Sequence, residues 1–253
     1  MRGAMRFLGK EFTEIVRTWR IWVVPGLLLF FAITSPILAI MTPALIESLA
    51  QGPSGIQIIV PDPTYLDAYA QWVGNLQEIV MFALIFTAGG MIAGERSQGT
   101  AILVLTKPVS RASFVLAKFI SNLTLLATFT IAGTLACWGV TFLVFHEAPV
   151  RRLAGSTATW LAYAVLILAF MTLYSARFKS LAAGGAGLGT FFAISVLTLW
   201  GPAVKYSPAG LAKASGDLLT GAHVDLAWPL LTTALGIAVL LAAAIMVFKR
   251  QEI

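Results

Sequence analysis

Six stretches of mostly apolar residues, separated by shorter polar segments, follow one another along the 253-residue chain. A helix needs about 20 such residues to cross the hydrocarbon core of a bilayer, and backbone amides in lipid need partners within their own segment. Each stretch is therefore predicted to be a transmembrane helix. The predicted spans lie at about 21–43, 73–94, 115–145, 153–176, 180–201 and 228–248.

A basic amphipathic segment, residues 1–20, precedes the first span. Its apolar residues recur at helical spacing and its arginines and lysine fall on the opposite side. A basic helix with an aromatic and aliphatic face is typical of the membrane interface. We therefore expect an interfacial helix here. The apolar positions are Met5, Leu8, Phe12, Ile15, Val16 and Trp19.

The distribution of lysine and arginine predicts the orientation of the spans. Six crossings put both termini on one side, and a cytoplasmic N-terminus leaves 13 of the 17 basic residues inside. By the positive-inside rule, both termini are predicted to be cytoplasmic, in the cell (plasma or inner) membrane. Residues 44–72 contain no lysine or arginine and form the predicted outer loop. Residues 201–228, with their prolines and glycines, are expected to re-enter the membrane in part from the outer side.

The composition agrees with a membrane-embedded fold. Hydrophobic residues make up 58% of the chain and charged residues 11%, against roughly 25% charged residues in a soluble domain. The net charge of +6 is explained by the basic residues that orient the spans under the positive-inside rule. We therefore expect the lipid bilayer and not nucleic acid as a partner. The predicted fold class is all-α: a polytopic membrane protein with six transmembrane helices, forming one membrane domain over residues 1–253.

The sequence offers no catalytic, cofactor-binding or metal-binding site. It contains no G-x-x-x-x-G-K-[ST] loop, so ATP hydrolysis is expected on another chain. One cysteine and two distant histidines give no metal-ligand spacing. Gln77 and Glu78 are expected near the outer interface, which leaves the spans almost without charge at mid-membrane depth. Ion-driven carriers usually place ionisable groups there, so energy is expected from outside the bilayer.

The segment 95–112, between spans two and three, has an unusual pattern. Gly99 can end a helix, Thr100 can cap a new one, and Pro108 disfavours helix at the preceding residue. Ser110 can cap the helix that leads into span three. The result is a short apolar helix between two breaks, which needs a bilayer surface or a partner's groove to cover it. Its apolar side chains are Ile102, Leu103 and Leu105.

This segment resembles the permease subunits of ATP-binding-cassette exporters of the type-2 class. The matching positions are Glu95, Gly99, Thr100, Pro108, Ser110, Arg111 and Lys118. The resemblance implies that 95–112 is a coupling segment, whose short helix docks on a separate ATPase subunit that carries ATP and Mg. Arg177 and Lys179, in the next cytoplasmic turn, are expected to form a second contact. It also implies a second permease chain, either identical or related.

The residues leave two other functions open. One is a membrane scaffold that recruits a cytoplasmic protein without transport, and the other is a channel or carrier that works without ATP. The apolar spans are compatible with lipids, drugs, peptides or metabolites as cargo.

Overall fold

The computed structural model describes residues 20–50, 61–99 and 110–250. Every regular element in these ranges is helical, which confirms the predicted all-α class. The helices are α1 Arg20–Ala50, α2 Tyr65–Asn75, π1 Leu76–Val80, α3 Met81–Gly89, α4 Ala93–Ser97, α5 Arg111–Phe145, α6 Val150–Arg177, α7 Ser180–Leu197, α8 Gly201–Tyr206, α9 Ala209–Asp217 and α10 Ala227–Lys249.

Within the described residues, six helical stretches are long and apolar enough to cross a membrane, which confirms the predicted number of spans in a multi-pass membrane protein. They are Trp22–Ser48, Tyr65–Ser97, Arg111–Phe145, Val150–Arg177, Ser180–Leu197 and Ala227–Lys249. The predicted interfacial helix, residues 1–20, lies outside the described residues except for Arg20. We call the end of the bundle where α1 begins and α10 ends the basal end, and the opposite end the distal end.

Span two begins at Tyr65, eight residues earlier than predicted. Its start is fixed by a capping box, in which the Asp67 carboxylate accepts hydrogen bonds from the Thr64 backbone N–H (2.7 Å) and hydroxyl (2.9 Å). The first turns are held because Tyr69 and Trp72 are fully buried. With α1 reaching Ala50, the segment outside the helices is shorter than the predicted loop 44–72.

Span two is longer than the hydrocarbon core of a bilayer is thick. Its 33 residues extend about 50 Å at 1.5 Å per residue, against about 30 Å for the core. Part of the helix therefore projects beyond the core. The uncharged part of the span is Ile79–Gly94, so the position of Gln77 and Glu78 near the outer interface stays a prediction.

Helix α6 is the centre of the bundle. It packs against α10, α5, α3 and α7, and against the short helix α9. Trp160, Tyr163 and Leu168 of α6 lie in the main hydrophobic core, which continues into α1 and α2. Helix α6 therefore connects spans two, three, five and six.

The segment expected to re-enter the membrane contains α8 and α9, and α9 packs against α6. A close approach makes this hairpin possible: a Cβ at Gly210 would overlap the Val204 carbonyl oxygen and the ring of Pro229. Gln77 of span two donates hydrogen bonds to the Ala212 carbonyl (2.8 Å) and to the Ser215 hydroxyl. The hairpin therefore reaches the depth of Gln77.

Candidate functional site

The basal ends of spans two, three, four and six converge where the coupling segment was predicted. Span two turns at Gly90 and restarts as α4, whose first N–H groups lack partners within the helix. The hydroxyl of Ser175, near the end of α6, accepts hydrogen bonds from the backbone N–H groups of Ile92 (2.9 Å) and Ala93 (3.0 Å). This contact ties the start of α4 to span four.

Glu95 of α4 and Lys118 of α5 form a buried ion pair. Their side chains are only 13% and 7% exposed. The Lys118 ammonium also lies 5.4 Å from the ring centroid of Phe114, within range of a cation–π contact. A buried charge that loses a partner is strongly unfavourable, so removing either side chain of the pair is expected to destabilise the protein.

Arg96 joins α4 to the end of α6. Its guanidinium donates to the carbonyl of Ala176 (2.8 Å) and to that of Phe178 (2.9 Å). The last carbonyls of a helix have no partner within it and carry partial negative charge, so a guanidinium stabilises them. The turn from span four into span five is thereby connected to the residues just before Gly99.

Arg111 makes the corresponding contact on the other side of the segment. Its guanidinium donates to the carbonyls of Phe248 (3.2 Å) and Lys249 (2.9 Å), at the end of α10. One turn further along α5, the Phe114 ring stacks on the Phe248 ring, with centroids 5.2 Å apart and planes 5° from parallel. Polar and aromatic contacts together join span three to span six.

We call Glu95, Arg96, Arg111 and Lys118 the basal clamp. Glu95 and Arg96 precede the coupling segment and Arg111 follows it, so the clamp fixes both of its ends. Its partners lie on spans two, three, four and six, so the clamp joins both ends of the segment to four spans. Within residues 20–50, 61–99 and 110–250, no group of three metal-ligating side chains occurs.

The remaining predicted site residues have different fates. Gly99 adopts a left-handed conformation (φ 69°), which glycine accepts without strain, and so ends α4 as the sequence indicates. Ser110 caps α5 by accepting a hydrogen bond from the Ser113 backbone N–H (3.1 Å). Arg177 and Lys179 are exposed at the basal end. The predicted positions outside the described residues are Thr100, Ile102, Leu103, Leu105 and Pro108.

Sequence reasoning missed two members of this network. Arg96 was counted only as a basic residue of the inner side, and Ser175 was not considered. One signal was available for the ion pair: Glu95 ends span two and Lys118 begins span three, and consecutive antiparallel spans bring those two ends together. No sequence signal pointed to the bonds of Arg96, because their acceptors are backbone carbonyls.

Comparison with known proteins adds the following. The family model described as "Protein of unknown function (DUF2705)" matches residues 64–253, which include the whole basal clamp. The chain is also similar to the uncharacterized transmembrane protein YxlG of Bacillus subtilis (strain 168). The two are 26% identical over 257 residues, an alignment that covers 100% of this chain and 99% of the relative.

Proposed function

The chain belongs to the DUF2705 family of proteins of unknown function, and we propose that it is the permease subunit of an ATP-binding-cassette exporter. The basal clamp carries this proposal. A segment held at both ends by side chains that reach four spans is what a permease needs to receive movement from a separate ATPase. The resemblance of residues 95–118 to type-2 permeases supports the same role. ATP and Mg belong to the ATPase subunit.

In this proposal the basal end faces the cytoplasm of the cell. Among the described residues, those at the basal end include several basic side chains, as the positive-inside rule requires of a cytoplasmic end. They are Arg96, Arg111, Lys118, Arg177, Lys179, Lys249 and Arg250. Exposed Arg177 and Lys179 then face the ATPase beside the coupling segment, and form the second contact.

A second permease chain, identical or related, completes the pathway. Small residues let transmembrane helices approach closely, and Gly185, Gly189 and Ala193 are exposed along one side of α7. A Cβ at either glycine would meet no atom within 4 Å. For a homodimer, Gly189→Cys in a chain without Cys137 should form an interchain disulfide on mild oxidation. Gly26→Cys, on α1, should not.

The test is co-purification from the native host with tagged full-length chain. An ATP-binding-cassette ATPase should co-purify with the wild type, and Leu103→Asp should lower its yield about tenfold or more, because burying one leucine contributes roughly 1.5–3 kcal/mol. Leu199→Asp is the matched control, since Leu199 is 86% exposed but lies at the distal end. Absence of such an ATPase, or its recovery with Leu103→Asp at the wild-type ratio, would refute the proposal.

The alternative is an ATP-independent carrier, which would move its substrate without any ATPase. Vesicles that contain the chain without any ATPase distinguish the two. The exporter gives no uphill flux there, whereas a carrier is driven by a proton or sodium gradient.

A further inference from the structure

Two of the six spans are close in length to the thickness of the hydrocarbon core of a bilayer. Span five, Ser180–Leu197, has 18 residues, and span six, Ala227–Lys249, has 23. At 1.5 Å per residue they extend about 27 Å and about 34 Å, against about 30 Å for the core. Because neither helix has much length to spare, the residues that follow span five and those that begin span six lie close to a boundary of the core.

The short helix α8, Gly201–Tyr206, connects these two span ends at the distal end of the bundle. It begins directly after Trp200, which closes the turn that ends span five. Its last residue, Tyr206, packs edge-to-face on Trp228 at the start of α10, with ring centroids 6.0 Å apart. Helix α8 therefore lies at the level where spans five and six both leave the core.

The side chains around α8 combine apolar bodies with polar tips. Trp200, Tyr206 and Trp228 are 62%, 49% and 50% exposed. The exposed Lys205 has its ammonium 5.1 Å from the centroid of the Tyr206 ring. Within the described residues, the polar hydrogens of these four side chains have no hydrogen-bond acceptor. Tryptophan and tyrosine are enriched at membrane interfaces because the ring lies against lipid while its N–H or O–H meets the headgroups, and a lysine stem can extend in the same way.

We propose that Trp200, Lys205, Tyr206 and Trp228 form an interface anchor that binds phospholipid headgroups at the distal surface of the bilayer. The indole and phenol groups donate to ester and phosphate oxygens, and the Lys205 ammonium donates to a phosphate in a charge-assisted hydrogen bond. The anchor keeps α8 at the boundary of the core, while α9 packs against α6. This inference goes beyond the exporter role and does not rest on it, because it requires only that spans five and six cross the bilayer.

The experiment measures tryptophan fluorescence of the purified full-length chain in lipid nanodiscs. The nanodiscs contain a phospholipid that carries a nitroxide quencher either on its headgroup or near the end of an acyl chain. The signal of Trp200 or Trp228 is the emission that Trp200→Phe or Trp228→Phe removes from the wild type. Tyr206→Trp adds a reporter on α8 itself, read as a gain of emission. The headgroup label should quench all three signals more strongly than the chain-end label does.

Matched variants calibrate the depth and test the lysine. Val239→Trp, at a position that is 67% exposed near the middle of span six, should be quenched more strongly by the chain-end label. Trp160 is fully buried, so neither label should quench the emission that Trp160→Phe removes. Lys205→Glu places a like charge beside the phosphates and should reduce headgroup quenching of Trp228. Lys179→Glu, at the basal end, should leave it unchanged.

Three results would overturn the inference. Stronger quenching of Trp200 or Trp228 by the chain-end label would mean that this part of the chain enters the core. Quenching by neither label, together with quenching by a water-soluble agent, would mean that it lies in water beyond the headgroups. Headgroup quenching of Trp228 that is unchanged in Lys205→Glu would remove the lysine–phosphate contact. None of these measurements involves the ATPase, so their failure is distinguishable from failure of the co-purification test.

Discussion

Breaking the Glu95–Lys118 ion pair should destabilise the protein much more when one partner is removed than when both are. The perturbation is a set of three variants: Glu95→Gln, Lys118→Met and the double variant. Because the two side chains are 13% and 7% exposed, the charge left behind by either single substitution stays largely out of water. The double variant leaves no buried charge.

The magnitude follows from this burial. Removing one partner of a buried ion pair costs about 3–5 kcal/mol, whereas replacing both by neutral groups of similar volume is often close to neutral. We therefore expect each single variant to lose about 3 kcal/mol and the double variant to lose clearly less than their sum. A coupling free energy of about 2 kcal/mol or more is expected between the two positions, within the range seen for residues in contact.

The assay is the free energy of unfolding in mixed micelles, followed by intrinsic fluorescence as the denaturing detergent is titrated in. Lys179→Met is the matched control, because Lys179 is exposed at the same end and its replacement should change stability by less than about 0.5 kcal/mol. If the losses of the two single variants simply add in the double variant, the pair makes no net contribution and the role assigned to the clamp is wrong. If the double variant regains stability without regaining ATPase-linked turnover, the structural role of the ion pair is separable from its role in coupling.

Three further predictions test other parts of the structure. Gly210→Ala should lower the free energy of unfolding by about 1–3 kcal/mol through overpacking. Gly216→Ala should not lower it, because a Cβ there would meet no atom within 4 Å. Equal stability of the two variants would contradict the close approach at Gly210. In a background without Cys137, a membrane-impermeant thiol reagent applied to intact cells should label Gly216→Cys and not Ser97→Cys, and the reverse pattern would invert the orientation. Arg96→Lys should lower the free energy of unfolding by about 1 kcal/mol, because an ammonium cannot donate to both the Ala176 and the Phe178 carbonyls as the guanidinium does. An unchanged unfolding transition would show that these hydrogen bonds do not contribute to stability.

The number and helical nature of the spans could be predicted because they depend on local hydropathy. A run of about 20 apolar residues has few alternatives to crossing a bilayer as a helix. The start of span two could not be predicted in the same way, because Asp67 interrupts the apolar pattern. In the structure this carboxylate caps the helix, so a residue that looks like part of a loop begins the span.

In the candidate site, too, the roles that depend on neighbouring residues could be predicted and those that depend on distant residues could not. Gly99 and Ser110 were assigned their helix-ending and helix-capping roles from sequence because those roles depend on the residue's own backbone and near neighbours. The fates of Glu95 and Arg96 depend on groups about 23 and 80 residues away along the chain. Glu95 was identified from sequence as a position that matches the type-2 permeases, and the structure pairs it with Lys118 in a largely buried contact.

The sequence by itself determined that the chain is embedded in a bilayer, that it is helical, how many spans it has and where the helices break around the coupling segment. Each of these depends on composition or on residues within one helical turn. Only the tertiary structure decided which charges are compensated. Lys118 is neutralised because spans two and three fold back on each other, whereas Glu78 is exposed on the surface of span two. The free energy of a charge depends on what surrounds it in space, and only the folded chain fixes those surroundings.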